Sequence, residues 1–324
     1  MEESFNHHCP KIDPVPAGAA QPLWSVMIPA YHCASYLRQT LESVLCQDPG
    51  PERMGITVVD PCSDQDDPKG VVDEMGRTRL SYVRLAKNGG STATFNECLR
   101  RTTGRLIHIL HGDDYVEPGF YREIEALASA YPEMALYCTR GFIVDKDGGL
   151  EWVSPRIPHM EKGTRDAAPF FYLHSIPTPA MVIRRSFYEQ HGGFNEFLNH
   201  TADWEMGIRV VSEGGGVILN KPLVNYRYYG ESQTGQFMRM GENLRDCLRF
   251  GRLMAARFKE FDTRRHLYRL AGQAEWQIKR FKKAGDGEAV KASRAMWWKT
   301  SSLSVKLGKF LYAAYGLLRR KVLR

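Results

Sequence analysis

Long apolar runs are missing from this chain. None of its 324 residues falls in a stretch approaching the ~20 apolar residues that cross a bilayer, which excludes an integral helical membrane protein. C-x-x-C pairs are also missing. The seven cysteines (9, 33, 46, 62, 98, 138 and 247) are odd in number and scattered. That pattern disfavours a disulfide framework or a zinc site and predicts reduced thiols in a cytoplasmic setting. Met1-Glu2-Glu3-Ser4 is acidic with no apolar segment behind it, so a secretory leader is not expected. Internal repeats are absent. Acidic residues are scarce in one region only: positions 240–324 hold 21 Lys and Arg against 7 Asp and Glu, while the other 239 residues hold 23 against 30. A basic end on an acidic body points to an anionic surface as a partner.

What is present is an alternating pattern. With 43% apolar and 25% charged residues the composition is that of a soluble globular protein. Residues 1–21 are rich in Pro and Ala and read as a mobile tail. Residues 23–30 form a nearly continuous apolar run, fitting a buried parallel strand. Residues 34–46 have helical spacing, with Leu37, Leu41, Val44 and Leu45 on one face. Short strands are expected at 55–60, 80–85 and 106–110, separated by helices at 71–77 and 92–102. Further expectations are a helix at 120–130, a strand at 134–144 turning through Lys146-Asp147-Gly148-Gly149 into 150–153, and a strand at 181–183. A helix at 202–212 and strands at 217–219 and 224–228 follow. Strands alternating with helices predict an α/β domain with a mostly parallel, doubly wound Rossmann-like sheet over residues 22–235. From about residue 236 strand signals stop and a basic helical region begins.

Residues 106–117 carry the chemistry. An apolar strand runs into His111-Gly112-Asp113-Asp114. Adjacent carboxylates repel, and a divalent cation such as Mg²⁺ or Mn²⁺, bridging to substrate phosphates, gives them a reason to be together. Gly-Asp-Asp is also good turn chemistry, so a solvated turn stands beside that reading. Other strand ends belong to the same edge of a parallel sheet: Pro29-Ala30-Tyr31 after the first, Asp60 after the second, and Asn88-Gly89-Gly90 before the helix bearing Asn96. Asp60 suits a base or ribose hydroxyl, and equally a helix cap. Tyr31 suits a base face.

These motifs, in this order, resemble family 2 glycosyltransferases, inverting nucleotide-sugar enzymes of GT-A fold. The matching residues are Ser25 through Tyr31, Leu41 through Gln47, Ile56 through Asp60, Asn88-Gly89-Gly90 with Asn96, and Gly104 through Ile107 leading to Asp113-Asp114. Gly192-Gly193-Phe194-Asn195-Glu196 and then Ala202-Asp203-Trp204-Glu205-Met206 match the acceptor-side motif. The resemblance covers about residues 23–232. It implies a UDP-sugar donor, with dTDP-sugar as the other choice, and transfer to a hydroxyl of a glycan, polysaccharide or lipid-linked acceptor. It further implies that Pro29, Ala30, Tyr31, Asp60, Asn88, Gly89, Asn96 and Asp113 hold the nucleotide sugar, and that Asp114 with Asp113 holds Mn²⁺ or Mg²⁺. Asp203 would be the general base, with Trp204 and Glu205 on the acceptor side. Asp203 also suits a helix N-terminus on electrostatic grounds alone.

The chain departs from the family pattern at Pro61, Phe95, His111 and Tyr229. Those departures motivate an alternative, a catalytically silent nucleotide-binding module of the same fold. A nucleotidyltransferase would want a phosphate-binding Gly- and Lys-rich loop after the first strand, and Tyr31-His32-Cys33-Ala34-Ser35 is not one. Arg227 fits either a diphosphate contact or a structural ion pair. Finally, Leu303, Leu307, Phe310, Leu311, Ala314 and Leu318 recur at helical spacing among cations. Residues 301–324 therefore predict an amphipathic helix, either on an anionic membrane surface, with the protein peripheral at the inner face of the cell membrane, or docked on its own domain or a second subunit. Nucleic acid is not an expected partner, because no binding motif accompanies the charge.

Overall fold

The computed structural model describes residues 8–76, 78–230 and 232–301. The chain divides into two compact units, Met1–Tyr229 and Gly230–Arg324, so the boundary falls a few residues before the expected position near 235. The amphipathic helix expected at 301–324 lies outside the described residues, apart from Ser301.

The first unit is built on one nine-stranded sheet whose strands lie in the order β3 (Ser81–Arg84), β2 (Met54–Asp60), β1 (Trp24–Pro29), β4 (Leu106–Ile109), β8 (Met181–Arg184), β6 (Leu136–Val144), β9 (Gly216–Arg227) and β5 (Tyr115–Val116), with β7 (Leu150–Val153) paired to β6. Its first half follows the sequence pattern closely: β1 (Trp24–Pro29), α1 (Ala34–Leu45), β2 (Met54–Asp60), α2 (Pro68–Gly76), β3 (Ser81–Arg84), α3 (Ser91–Arg100) and β4 (Leu106–Ile109). β1 pairs in parallel with β2 and β4, and β2 with β3. β1 is buried from Trp24 to Met27 and on through Ile28, which is why it reads as an unbroken apolar run. Ser25 is tolerated there because its hydroxyl accepts the Gly104 N–H at 2.9 Å.

The second half is mixed. It comprises β5 (Tyr115–Val116), α4 (Phe120–Ala130), β6 (Leu136–Val144), β7 (Leu150–Val153), β8 (Met181–Arg184), α5 (Arg185–His191), α6 (Ala202–Gly214) and β9 (Gly216–Arg227). β8 runs antiparallel to both β4 and β6, and β9 parallel to β6. The two late strands expected from sequence are one strand, β9. Its register against β6 shifts around Arg140, opposite the Asn220-Lys221-Pro222 stretch, where proline cannot donate to a ladder. α5 and the two-residue β5 had no sequence signal.

Residues 8–13 are not a loose tail. Ile12 is buried, the Pro10 and His8 carbonyls accept the N–H groups of Gly193 and Glu196 at 2.8 Å each, and Arg185 Nη2 donates to the Asp13 carbonyl at 2.7 Å. The turn at Gly192–Gly193 leaves amides that this segment satisfies.

The second unit is helical: α7 (Gln233–Met240), α8 (Glu242–Arg257), α9 (Thr263–Lys283) and α10 (Gly287–Thr300). Asp262 and Asp286 cap α9 and α10 by accepting first-turn amides. Its core gathers Phe250, Leu270, Ala274, Phe281, Met296 and Trp297. No helix among the described residues is long and apolar enough to cross a membrane.

Candidate active site

The His111–Asp114 loop is braced from below. Gly112 N–H donates to the Pro29 carbonyl at 3.0 Å, and the buried Thr40 hydroxyl of α1 lies 2.7 Å from the Asp114 carbonyl. A Cβ at Gly112 would sit 2.6 Å from Cys33 Sγ and 3.1 Å from Ala30 Cβ, so this loop closes on β1 only without a side chain. Pro29 and Ala30 thus act through their backbone, Ala30 N–H also donating to Val59 at 2.9 Å.

Asp114 is buried. Its Oδ2 lies 2.9 Å from His111 Nδ1, and its Oδ1 accepts the Arg227 backbone N–H at 2.7 Å. Burial, reinforced by the charge of Asp113, pushes its carboxyl up to about 6 against the pull of His111. Asp113 is half-buried, and its Oδ2 accepts the Tyr229 hydroxyl at 3.0 Å. Ligand atoms of His111, Asp113 and Asp114 all lie within 4.8 Å of one another. An ionised Asp114 can only accept, so Nδ1 of His111 carries the proton. In the neutral ring that leaves Nε2 with a lone pair, although, against burial, the carboxylates around it raise the His111 pKa, and Nε2 is buried with no hydrogen-bond partner. Two carboxylates and an imidazole oriented by a carboxylate make a donor set that fits a divalent cation.

Arg227 does not reach toward a diphosphate. Its guanidinium donates to the Asp113, Asp145 and Lys146 carbonyls and to Gln39 Oε1, and it lies 4.5 Å over the Tyr36 ring. It is the clamp that holds the loop against β9.

The nucleotide-side residues fall in two groups. Tyr31 is 43% exposed and stacked on His32 at 3.8 Å, while Asn88 and Gly89 are exposed on the loop before α3. The Asn88 side chain accepts the N–H of Gly90, whose φ of +88° starts that helix. Asp60, by contrast, is fully buried. It accepts the Ser63 N–H at 2.7 Å, the Tyr82 hydroxyl at 2.6 Å and Arg84 Nη1 at 2.7 Å. Burial and the Asp60 bond push the Tyr82 phenol up to about 12. Asp60 therefore orders Ser63, Tyr82 and Arg84. Asp60 and Arg84 are directly paired in the β2–β3 register, a link visible only once that register is known.

Asn96 differs from expectation. It is fully buried, its Oδ1 accepts the Phe194 N–H at 2.8 Å, and its Nδ2 donates to the Phe194 carbonyl at 3.0 Å and to Glu196 Oε1 at 3.1 Å. Both ends of the amide are used to fix the Gly192–Glu196 turn. Glu205 also turns inward. It is buried in an ion pair with Arg209 at 2.8 Å, and Arg209 in turn donates to the His191 and Gly193 carbonyls.

Asp203 occupies the first turn of α6. Its Oδ2 accepts the Thr178 hydroxyl at 2.5 Å, its Oδ1 lies 2.7 Å from the Trp204 N–H, and His174 Nε2 stands 3.8 Å away. Burial works to raise its pKa, but the His174 charge and the Thr178 bond outweigh it and hold the carboxyl below its ordinary value. Its charge is felt in turn at His111, where it adds to the pull of Asp114 and Asp113 toward the protonated ring. Trp204 stacks on His174 at 6.0 Å and donates its indole N–H to the Phe170 carbonyl at 2.7 Å. Phe170, Leu173, His174, Met181, Trp204 and Ile208 line a small, open, largely apolar cleft beside Asp203. His174 and Thr178 are site residues that sequence motifs do not reveal. The two prolines flanking Thr178, which stiffen its loop, are the one sequence feature that marks it.

With this geometry in hand, the relatives are informative. Chondroitin synthase of Pasteurella multocida is 27% identical over 227 residues, covering 66% of this chain and 21% of that protein. The chain thus spans about a fifth of that relative's length. An uncharacterized protein of Mycobacterium tuberculosis is 36% identical over 247 residues, covering 72% of this chain and 75% of that one. Among solved structures, TarS residues 1–349 of S. aureus in complex with UDP-GlcNAc superimposes with a TM-score of 0.54 at 14% identity, covering 85% of this chain and 90% of that one. The mannosyltransferase PcManGT of Pyrobaculum calidifontis, in complex with GDP-Man and Mn²⁺, gives 0.52 at 16% identity, covering 97% and 86%. These likenesses show a common GT-A fold. The Glycosyl transferase family 2 model matches residues 25–192, more than half of the chain, and the protein is a member of that family.

Proposed function

We propose that this chain transfers a sugar from a nucleotide-diphosphate sugar, UDP-linked, to a hydroxyl of a glycan, polysaccharide or lipid-linked acceptor, with inversion at the anomeric carbon. The observation that carries this reading is the placement of Asp203. It is an ionised carboxylate, held by Thr178, beside a cleft and within electrostatic reach of the His111–Asp114 loop. Direct displacement needs a base on the acceptor side and charge stabilisation on the leaving diphosphate. Asp203 takes the acceptor proton. Asp113, Asp114 and His111 Nε2 would hold Mn²⁺ or Mg²⁺, which supplies Lewis-acid stabilisation of the diphosphate when bound. Tyr31 offers a base face, and the exposed Asn88–Gly89 backbone offers close approach to the donor. The structural neighbours' ligands, UDP-GlcNAc and GDP-Man with Mn²⁺, support a nucleotide-sugar donor and a divalent ion. The named synthases among the relatives support a glycan acceptor.

The test is thermal stability with UDP, dTDP, GDP and ADP, each with Mn²⁺ and with chelator, followed by turnover of Asp203→Asn. Ligand at a hundredfold excess over its Kd stabilises by about 2.7 kcal/mol. A metal-dependent shift with UDP is expected. Asp203→Asn keeps that shift and loses turnover by several orders of magnitude. A variant that turns over like the parent refutes the base assignment. A parent that shows the nucleotide shift but no turnover supports the silent-module reading instead, and a parent without any nucleotide shift overturns both.

A further inference from the structure

α9 has two unlike faces. One sets His266, Leu270, Ala271, Ala274, Gln277 and Phe281 into the core of the helical unit. The other, running from Arg265 to Lys283 at spacings of three, four and seven, carries Arg265, Arg269, Lys279, Arg280 and Lys283, all exposed. Tyr268 and Trp276 lie on the same stripe, 75% and 48% exposed. The Arg280 guanidinium sits 5.3 Å from the Trp276 ring centre. α9 contains one acidic residue, Glu275, and it is turned aside to accept the Trp297 indole N–H of α10 at 2.7 Å. From Arg269 to Lys283 the stripe therefore presents cations and amphipathic rings with no carboxylate of α9 among them. An ordinary solvated helix face mixes both signs of charge. On α10, Trp298 is 57% exposed between exposed Arg294 and Lys299.

Several occupants can be weighed by chemistry. The same stripe of a second copy would set cations against cations, which opposes self-pairing. Single-stranded nucleic acid is bound in grooves that track its backbone, and a single convex helix is not one. An anionic bilayer satisfies both components: lipid phosphates meet the cations, and Tyr and Trp rings settle at headgroup depth with their polar edges wet. We propose that the exposed face of α9 is a peripheral binding surface for an anionic lipid bilayer, with Trp276 and Tyr268 entering the headgroup layer. This surface is separate from the 301–324 segment and does not depend on the transferase reading.

The test uses the full chain in co-sedimentation with vesicles of phosphatidylcholine alone and of phosphatidylcholine with about a third phosphatidylglycerol. Each cation near such a surface strengthens partition about fivefold, so R269Q/K279Q/K283Q is expected to weaken binding to anionic vesicles about a hundredfold. Helicity and melting temperature should be unchanged, since the three side chains are exposed. In a second measurement, bromolipids quench the parent's tryptophan emission, and W276F loses most of that quenching. The proposal is overturned if the triple variant sediments like the parent, if neutral vesicles bind equally well, or if the parent binds neither. It is likewise overturned if W276F is quenched as strongly as the parent. A parent that ignores vesicles but dimerises or binds an anionic polymer through these residues overturns it too.

Discussion

His108 gives a test of the core that reaches the site. It lies in β4 with no exposed surface, Nε2 at 2.8 Å from the Pro179 carbonyl and Nδ1 at 3.2 Å from the Tyr121 hydroxyl. A carbonyl only accepts, so Nε2 carries the proton and Nδ1 accepts from Tyr121. The neutral ring satisfies both neighbours, and burial pushes its pKa down to about 4, with the Pro179 bond opposing. In the unfolded chain the imidazole titrates near 6.5. Between those values the unfolded state binds a proton that the folded state refuses. The His108 contribution is thus fully present above about pH 6.5 and is lost as the pH falls toward 4. The interval of about 2.5 units, at about 1.36 kcal/mol each, corresponds to about 3 kcal/mol. His108→Leu removes this pH dependence and adds a pH-independent loss from the two stranded partners, about 1–3 kcal/mol each. Urea unfolding of both proteins from about pH 7.5 to about pH 4.5 checks it: the parent should lose about 2–3 kcal/mol more than the variant over that range. Other titrating groups, His266 among them, are common to both proteins and cancel in the difference. Parallel curves would refute the reasoning. Pro179 adjoins Thr178, so the variant should also slow turnover through a loosened Asp203.

Three further outcomes are expected. Asp114→Ala should abolish metal-dependent stabilisation by nucleotide. In the parent, calorimetric Mn²⁺ affinity should fall about tenfold per pH unit below about 6, where Asp114 takes up a proton; a flat profile contradicts the metal role. Glu205→Gln leaves the buried Arg209 uncompensated and should cost about 3–5 kcal/mol in urea unfolding, most of it recovered in E205M/R209M; no recovery would mean that Glu205 does more than balance Arg209. Asn96→Ala should destabilise the fold through the Phe194 turn while UDP affinity in the surviving folded protein stays within about twofold; a large loss of affinity restores Asn96 to the nucleotide site.

The alternation of strands and helices was legible because each element buries its own apolar stripe, and periodicity records that locally. What periodicity does not record is pairing. β5 exists only as Tyr115 and Val116 facing Asn225 and Val224, more than a hundred residues on. β9 read as two strands because Pro222 interrupts the run, yet the ladder to β6 simply shifts register there. The carboxylates at 113, 114 and 203 were readable by type and order. The direction in which a motif side chain points was not: Asn96 and Glu205 occupy the expected helices but turn inward, toward partners at Phe194 and Arg209. His174 was invisible because its neighbour Asp203 lies on a different element, reached across the 3₁₀ turn at Thr178–Ala180.

The close approach at Gly112 has an evolutionary consequence. Because a methyl group there would collide with Cys33 Sγ and press on Ala30, position 112 takes a side chain only if Cys33 moves or shrinks. The two sites are therefore expected to co-vary. Gly112→Ala should be far better tolerated in a Cys33→Gly background than alone. A cysteine that looks like idle core packing is thereby an arbiter of which substitutions the His111–Asp114 loop is free to explore.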